Sequence, residues 1–278
     1  MSIQPTEPVE EARLADLARL LTNRDRAIVA DLGDHRVMTT HHLTALHFAR
    51  THPSRARRRL AFLHRLGVLD RFRPRLALGT APWHWVLAAA GEHVYADIHE
   101  LPEPAQRPGS RIRLAHSARL AHTLGLSACY TAFRTAERTT PEAALLRWRT
   151  EAECARRWGR HIRPDAYLLW AQDGRELGAF LEYDTGTERH AQLLRKIRGY
   201  TDHAAAYQRT THVLFVVATR VRLASLAQAL APHTGDRVDV HLTTESLLHQ
   251  HGPAHPVWSP APTPREHLRL SAIGTHDH

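Results

Sequence analysis

Pro53-Ser54-Arg55-Ala56-Arg57-Arg58-Arg59-Leu60-Ala61-Phe62-Leu63-His64-Arg65-Leu66-Gly67 decides how the first third of the chain is read. Proline and serine open a helix, because a proline in the first turn gives up only an amide that has no intrahelical partner. Glycine closes it. Between them Ala56, Leu60, Leu63 and Leu66 recur at three- and four-residue spacing, the apolar stripe of an amphipathic helix. Arg55, Arg57, Arg58, Arg59 and Arg65 are expected on its other face.

The segments on either side complete a pattern. Towards the N-terminus, Ala12 to Leu21 carries leucines at helical spacing. Asn23 is expected to cap a helix over Ala27, Ile28, Ala30 and Leu32 that ends near Gly33. Thr39 and Thr40 are expected to cap another with Leu43, Leu46 and Phe48 on one face. Towards the C-terminus, Val68 to Phe72 and Trp83 to Leu87 read as paired strands around a Pro- and Gly-containing turn that adds Arg73 and Arg75. A short helix, Ala88 to Ala96, closes the set. Helix, helix, basic helix and β-hairpin is the order of a winged helix-turn-helix, whose third helix enters the major groove while the hairpin follows the backbone. Nine arginines stand against one acid, Asp70, between Arg50 and Arg75. Arg55, Arg57, Arg58, Arg59, Arg65, Arg73 and Arg75 are the expected contacts to double-stranded DNA. The plainer alternatives are a helix face that is merely solvated, or a protein-interaction module.

Composition points the same way. The chain has 278 residues, 43% hydrophobic and 23% charged, enough for two packed cores. Its formal charge of +9 favours polyanionic partners. Lys196 is the only lysine among 37 basic residues, so arginine content by itself reflects a compositional bias and the clustering carries the argument. Two cysteines, Cys129 and Cys154, exclude a disulfide scaffold and fit a reduced cytoplasm. The first residues lack a signal pattern and no apolar run is long enough to span a bilayer, so no membrane partner is expected. The histidines, including His41-His42 and His276-Asp277-His278, lack metal-motif spacing, and no Gly-rich phosphate loop is present.

Asp97 to Arg111, with Pro102, Pro104, Pro108 and Gly109, has linker composition. The expected organisation is therefore α+β in two domains: 1–96 the winged helix, 97–111 a linker, 112–252 an α/β domain and 253–278 an irregular Pro-rich tail. In the second domain a long helix, Ile112 to Arg138, precedes a strand at Leu145 to Arg149. Ala166 to Trp170 and Leu177 to Tyr183 flank Asp173-Gly174, a hairpin-turn signal. Thr187 to Arg209 reads as a helix and His212 to Thr219 as a buried strand. A further helix and strand, Leu223 to Leu230 and Arg237 to Leu242, lead to a short helix at Glu245 to His249.

That hairpin brings acids together. Asp165 begins one strand, and Glu182 and Asp184 end the next, so the three carboxylates converge at one end of the sheet. Oxygen ligands there suit Mg²⁺ or Mn²⁺, which polarises a phosphodiester and activates water. Lys196, on the following helix, could stabilise developing charge at the same end. The plainer explanation is that strand ends are exposed and carry acids for that reason. Cys154 beside Glu153 has no base partner by spacing and reads as structural.

Two blocks carry a family resemblance. Arg24-Asp25-Arg26 through Val37-Met38-Thr39-Thr40, Ala56-Arg57-Arg58-Arg59-Leu60 and Leu66-Gly67-Val68-Leu69-Asp70-Arg71 form the first. Trp148 to Glu151, Arg163-Pro164-Asp165, Phe180-Leu181-Glu182-Tyr183-Asp184-Thr185-Gly186-Thr187-Glu188, and Lys196 with Tyr200 form the second. Together they resemble the replication-relaxation proteins of actinobacterial plasmids and integrative elements, over about residues 12 to 245. The resemblance implies a mobile-element role with relaxase or replication proteins as partners, and a palindromic target would call for a homodimer.

The element order of the second domain is also similar to the restriction-endonuclease-like PD-(D/E)xK nucleases. That likeness implies catalytic roles for Asp165, Glu182 and Lys196, with Glu151 or Glu153 as an early acid, and metal ligation by Asp165, Glu182 and Asp184. Asp184 stands where the nuclease pattern has its lysine, so the likeness implies either a lysine supplied from the helix as Lys196 or a degenerate scaffold. Two functions stay open: a metal-dependent DNA endonuclease delivered by the winged helix, and a non-enzymatic DNA-binding accessory or regulator.

Overall fold

A computed structural model describes residues 17, 19–49, 51–74, 81–102, 117, 119–187, 190–235 and 237–274. The chain divides into two compact units, Met1–Ser127 and Ala128–His278. The division falls within a helix, Leu120–Thr139, and not in the Pro-rich stretch 97–111, most of which lies outside the described residues. The start of that helix belongs to the first unit because the buried Ser127 hydroxyl donates to the Val37 carbonyl at 2.8 Å.

In the first unit, α1 (Asn23–His35) begins at Thr22, one residue before the expected cap. Thr22 and Asp25 form a reciprocal capping box, with the Asp25 amide donating to the threonine hydroxyl at 3.3 Å and the Thr22 amide donating to the Asp25 carboxylate at 2.7 Å. Gly33 does not end the helix. It lies where any Cβ would meet the ring of Tyr95 at about 2.1 Å, so it serves close packing of α1 on α4 (Ala89–Ile98). After β1 (Met38–Thr39), α2 (Thr40–His47) is capped by Thr39, and the His42 ring accepts the Thr39 amide at 3.4 Å. The helix α3 (Pro53–Arg65) spans the expected range, with Ala56, Leu60 and Leu63 buried. Gly67 turns the chain at φ 73°, and β2 (Leu69–Phe72) and β3 (His84–Leu87) follow. The sheet order is β1-β3-β2, all antiparallel, over a core of Ile28, Val29, Leu32, Leu43, Leu60 and Trp85. The expected helix at Ala12 to Leu21 lies mostly outside the described residues.

The second unit is built on a six-stranded sheet ordered β4-β5-β6-β7-β8-β9. The first three strands, β4 (Ala144–Thr150), β5 (Ala166–Gln172) and β6 (Arg175–Asp184), form an antiparallel meander. Asp173 and Gly174 both adopt positive φ, the geometry a tight two-residue hairpin turn requires. Then β7 (Thr211–Val217) and β8 (Val238–Thr244) continue parallel to β6. Crossovers through α7 (His190–Tyr207) and α8 (Arg220–Leu230) make this possible, since parallel neighbours need long connections. In chain order α5 is Leu120–Thr139, α6 is Glu151–Trp158 and α9 is Glu245–His251.

One face of the sheet packs on α6, α7 and α8 through Trp158, Phe180, Ile197, Phe215 and Leu226. The other carries an aromatic cluster in which Phe133 of α5 meets Trp148, Trp170 and Trp258 at 5.5–6.4 Å between ring centres. Trp258 corrects the expectation of an irregular tail. It is fully buried, its indole donates to the Pro253 carbonyl at 3.0 Å, and the next residues form β9 (Ser259–Pro260) on β8. Prolines set the path of this segment without preventing its burial.

The Asp25 carboxylate, wholly inaccessible to solvent, locks α1 to α3: the Arg59 Nε donates to one oxygen at 2.8 Å and a terminal nitrogen of the same guanidinium donates to the other. Burial alone pushes the Asp25 carboxyl up, but the hydrogen bonds from Arg59 and Thr22 outweigh it and hold it below its ordinary value. Arg59→Ala is expected to destabilise the unit by roughly 2–3 kcal/mol, at or under the ~3–5 typical when a fully buried pair is broken, because Arg59 keeps partial solvent access. The carboxyl is depressed in the folded state, so its contribution is full above the unfolded value near ~3.9 and is lost as pH falls through the lower folded value. Thermal melts of wild type and Arg59→Ala across acid pH check this, and equal melting temperatures at neutral pH would refute it.

Candidate functional site

Two constellations stand out, one in each unit. In the first, helical geometry sorts the arginines of α3. Arg55, Arg57, Arg58 and Arg65 are exposed, and among the described residues no acid pairs with them. Arg59 differs from the expectation. A run of arginines advancing about 100° per residue cannot keep every member on one face, and Arg59 falls beside Ala56, Leu60 and Leu63, where it meets Asp25. Arg65 lies 5.9 Å from the Phe62 ring centre. On the hairpin Arg73 is exposed, while Arg75 lies outside the described residues.

The second constellation follows from sheet register. Thr150, Ala166 and Leu181 lie in one row across β4, β5 and β6, so the next row brings Glu151, Asp165 and Glu182 to the same end of the sheet. Asp165 and Glu182 are buried at 7% and 1% exposure. The Asp165 Oδ2 accepts the Tyr183 amide at 2.8 Å. Glu182 accepts from Lys196 Nζ at 2.7 Å on one oxygen and from the Tyr200 hydroxyl at 2.5 Å on the other. Lys196 and Tyr200 are four residues apart on α7, one helical turn, which is why both reach one carboxylate. Glu151 opens α6 and is exposed, whereas Glu153 caps that helix through Thr150.

Electrostatics set this cluster apart. Burial pushes the Glu182 carboxyl up, the Asp165 charge pushes it further, and Lys196 and Tyr200 pull it back only in part, leaving it at about 8. Burial and the adjoining Glu182 charge hold the Tyr200 hydroxyl well above its ordinary range, so it stays a donor. Burial lifts the Cys154 thiol to about 12, with Glu153 adding to it, which agrees with a structural cysteine.

Asp184 is engaged by partners of its own. Its Oδ1 accepts the Gly186 amide at 2.8 Å and its Oδ2 accepts Arg222 Nε at 2.5 Å, a partner 38 residues away that spacing does not reveal. Among the described residues no group of three or more His, Cys, Asp or Glu side chains is placed to hold a metal ion. The Lys196 ammonium and the Tyr200 phenol engage Glu182, and the Arg222 guanidinium engages Asp184.

The raised Glu182 carboxyl has a measurable sign. Its folded value lies above its unfolded one, so its contribution to stability is present below about pH 4.5 and is lost as pH rises towards 8. Glu182→Gln, which cannot ionise, is expected to melt with a flatter dependence on pH across that window than wild type. Parallel slopes in calorimetric melts would refute it.

A family model described as replication-relaxation matches residues 29–217, from within α1 to the end of β7. No curated protein and no solved structure matches the chain. The matched span takes in both the basic helix α3 and the Asp165, Glu182 and Lys196 cluster, and covers well over half of the sequence: the chain belongs to the replication-relaxation family.

Proposed function

We propose that this chain binds duplex DNA in the replication or transfer of a plasmid or mobile element, and that α1, α2, α3 and the β2–β3 hairpin act as a winged helix. The observation that carries this reading is the outer face of α3, where Arg55, Arg57, Arg58 and Arg65 project from a helix whose inner face is sealed by Ala56, Leu60 and Leu63. Guanidinium groups that no acid among the described residues engages can pair with phosphates, and released counterions supply the affinity. Family membership supports the replication setting. Relaxases or replication proteins are the natural protein partners, and a homodimer would suit a palindromic site. No helix among the described residues is long and apolar enough to cross a membrane.

Replacing Arg55, Arg57 and Arg58 together by alanine is expected to weaken duplex binding and to flatten its salt dependence, by roughly 0.9 in the log–log slope for each phosphate no longer neutralised. Fluorescence anisotropy over a salt series reads both. Unchanged affinity and slope would sink the reading.

A second reading, phosphodiester hydrolysis by the α/β unit, is favoured by one observation: Asp165, Glu182 and Lys196 stand together at one end of the sheet. The order of α5, β4, the β5–β6 hairpin, α7 and β7 agrees with a restriction-endonuclease-like fold. Supercoiled plasmid incubated with the protein and Mg²⁺ or Mn²⁺ decides it. Nicking that is lost in both Asp165→Ala and Lys196→Ala supports hydrolysis, whereas intact plasmid with ordinary DNA binding leaves the unit a non-enzymatic accessory.

A further inference from the structure

At the loop end of the β2–β3 hairpin a single tryptophan holds two cations. Phe72 pairs with His84 and Arg71 with Trp85, so the next register position sets Arg73 opposite Trp83. Arg71 lies on β2 and Arg73 one residue beyond its end, and each guanidinium carbon lies 4.0 Å from the Trp83 ring centre. Arg71 is also 5.5 Å from Trp85. Trp83 is half-buried and Arg73 is exposed.

Neither guanidinium has an acid partner among the described residues. Asp70, the neighbouring acid, accepts the Arg71 backbone amide at 2.8 Å and lies 3.7 Å from His64. Two like charges held close to one ring cost free energy unless something anionic joins them. Stacking uses the faces of the guanidinium planes and leaves their N–H edges to donate. A planar cation stacked in this way has already lost part of the rotamer freedom that binding would otherwise remove.

We propose that Trp83 is a splint that holds Arg71 and Arg73 as a paired grip on neighbouring phosphates of duplex DNA. This deepens the DNA-binding reading of the first unit and rests on it. Trp83 is a positioning residue: it orders the two arginines and itself touches no phosphate.

The test measures binding of the full chain to a labelled mixed-sequence duplex across a salt series. Arg71→Ala with Arg73→Ala is expected to lower the log–log salt slope by about 1.8, at ~0.9 per phosphate. Trp83→Leu is expected to weaken binding roughly 5- to 30-fold, because the two arginine side chains then lose their rotamer freedom only on binding, at ~0.5–1 kcal/mol each. Trp83→Phe, which keeps an aromatic face, should recover most of that loss. Adding Trp83→Leu to the double arginine variant should cost nothing further. Leucine matching wild type, leucine rescuing as well as phenylalanine, or leucine costing as much in the double variant as in wild type would each overturn the splint. The double-variant comparison keeps the test decisive even if Trp83→Leu lowers the melting temperature. A wild-type chain that fails to bind duplex sinks the DNA reading and this inference with it; one that binds while Trp83→Leu binds equally sinks this inference alone.

Discussion

The first unit depends on one interaction, the Arg59 guanidinium laid along the buried Asp25 carboxylate. Asp25 does three jobs with two oxygens: it closes the capping box of α1, accepts the Thr22 hydroxyl, and holds α3 by Arg59. Removing Arg59 would leave an unpaired charge in a solvent-free position, the costly case for a buried pair. Because Arg59 points inward, the rotation of α3 about its own axis is set, and with it the positions of Arg55, Arg57 and Arg58. An internal ion pair therefore decides which basic groups the helix offers to solvent.

The second unit concentrates its charge differently. Asp165 and Glu182 are forced together by strand register inside an apolar wall formed by Cys154, Ile197 and Tyr200. Lys196 and Tyr200 moderate the repulsion without cancelling it. Two positions further along β6, Arg222 neutralises Asp184 in the same manner. The end of the sheet thus carries two acid–base pairs, Glu182 with Lys196 and Asp184 with Arg222, beside Asp165.

Much of this was legible in the linear pattern. Pro53, the 56/60/63 stripe and Gly67 bounded α3, and Asp173-Gly174 placed the hairpin, because caps and turns are local chemistry. Convergence of Asp165 with Glu182 followed from that hairpin, and Lys196 was conspicuous as the single lysine. What remained hidden depends on partners distant in sequence. Arg59 and Asp25 are 34 residues apart, and Arg222 and Asp184 are 38, so no window of helical or strand periodicity contains either pair. Gly33 reads as a terminator until Tyr95 is seen against it, and a Pro-rich segment reads as irregular until Trp258 is found in the core. Thr22 and Asn23 are both good caps, and only the reciprocal bond from Asp25 chooses between them.

The solitary Lys196 has a consequence for the chemistry of the whole surface. Every other basic side chain that is charged at neutral pH is a guanidinium, which keeps its proton under any physiological condition and resists acylation. The sequence thus offers one ε-amine, and Glu182 engages it. Amine-directed reagents and lysine-modifying enzymes would meet an almost inert exterior, and any side-chain acylation they achieved would report on one buried carboxylate and on nothing else.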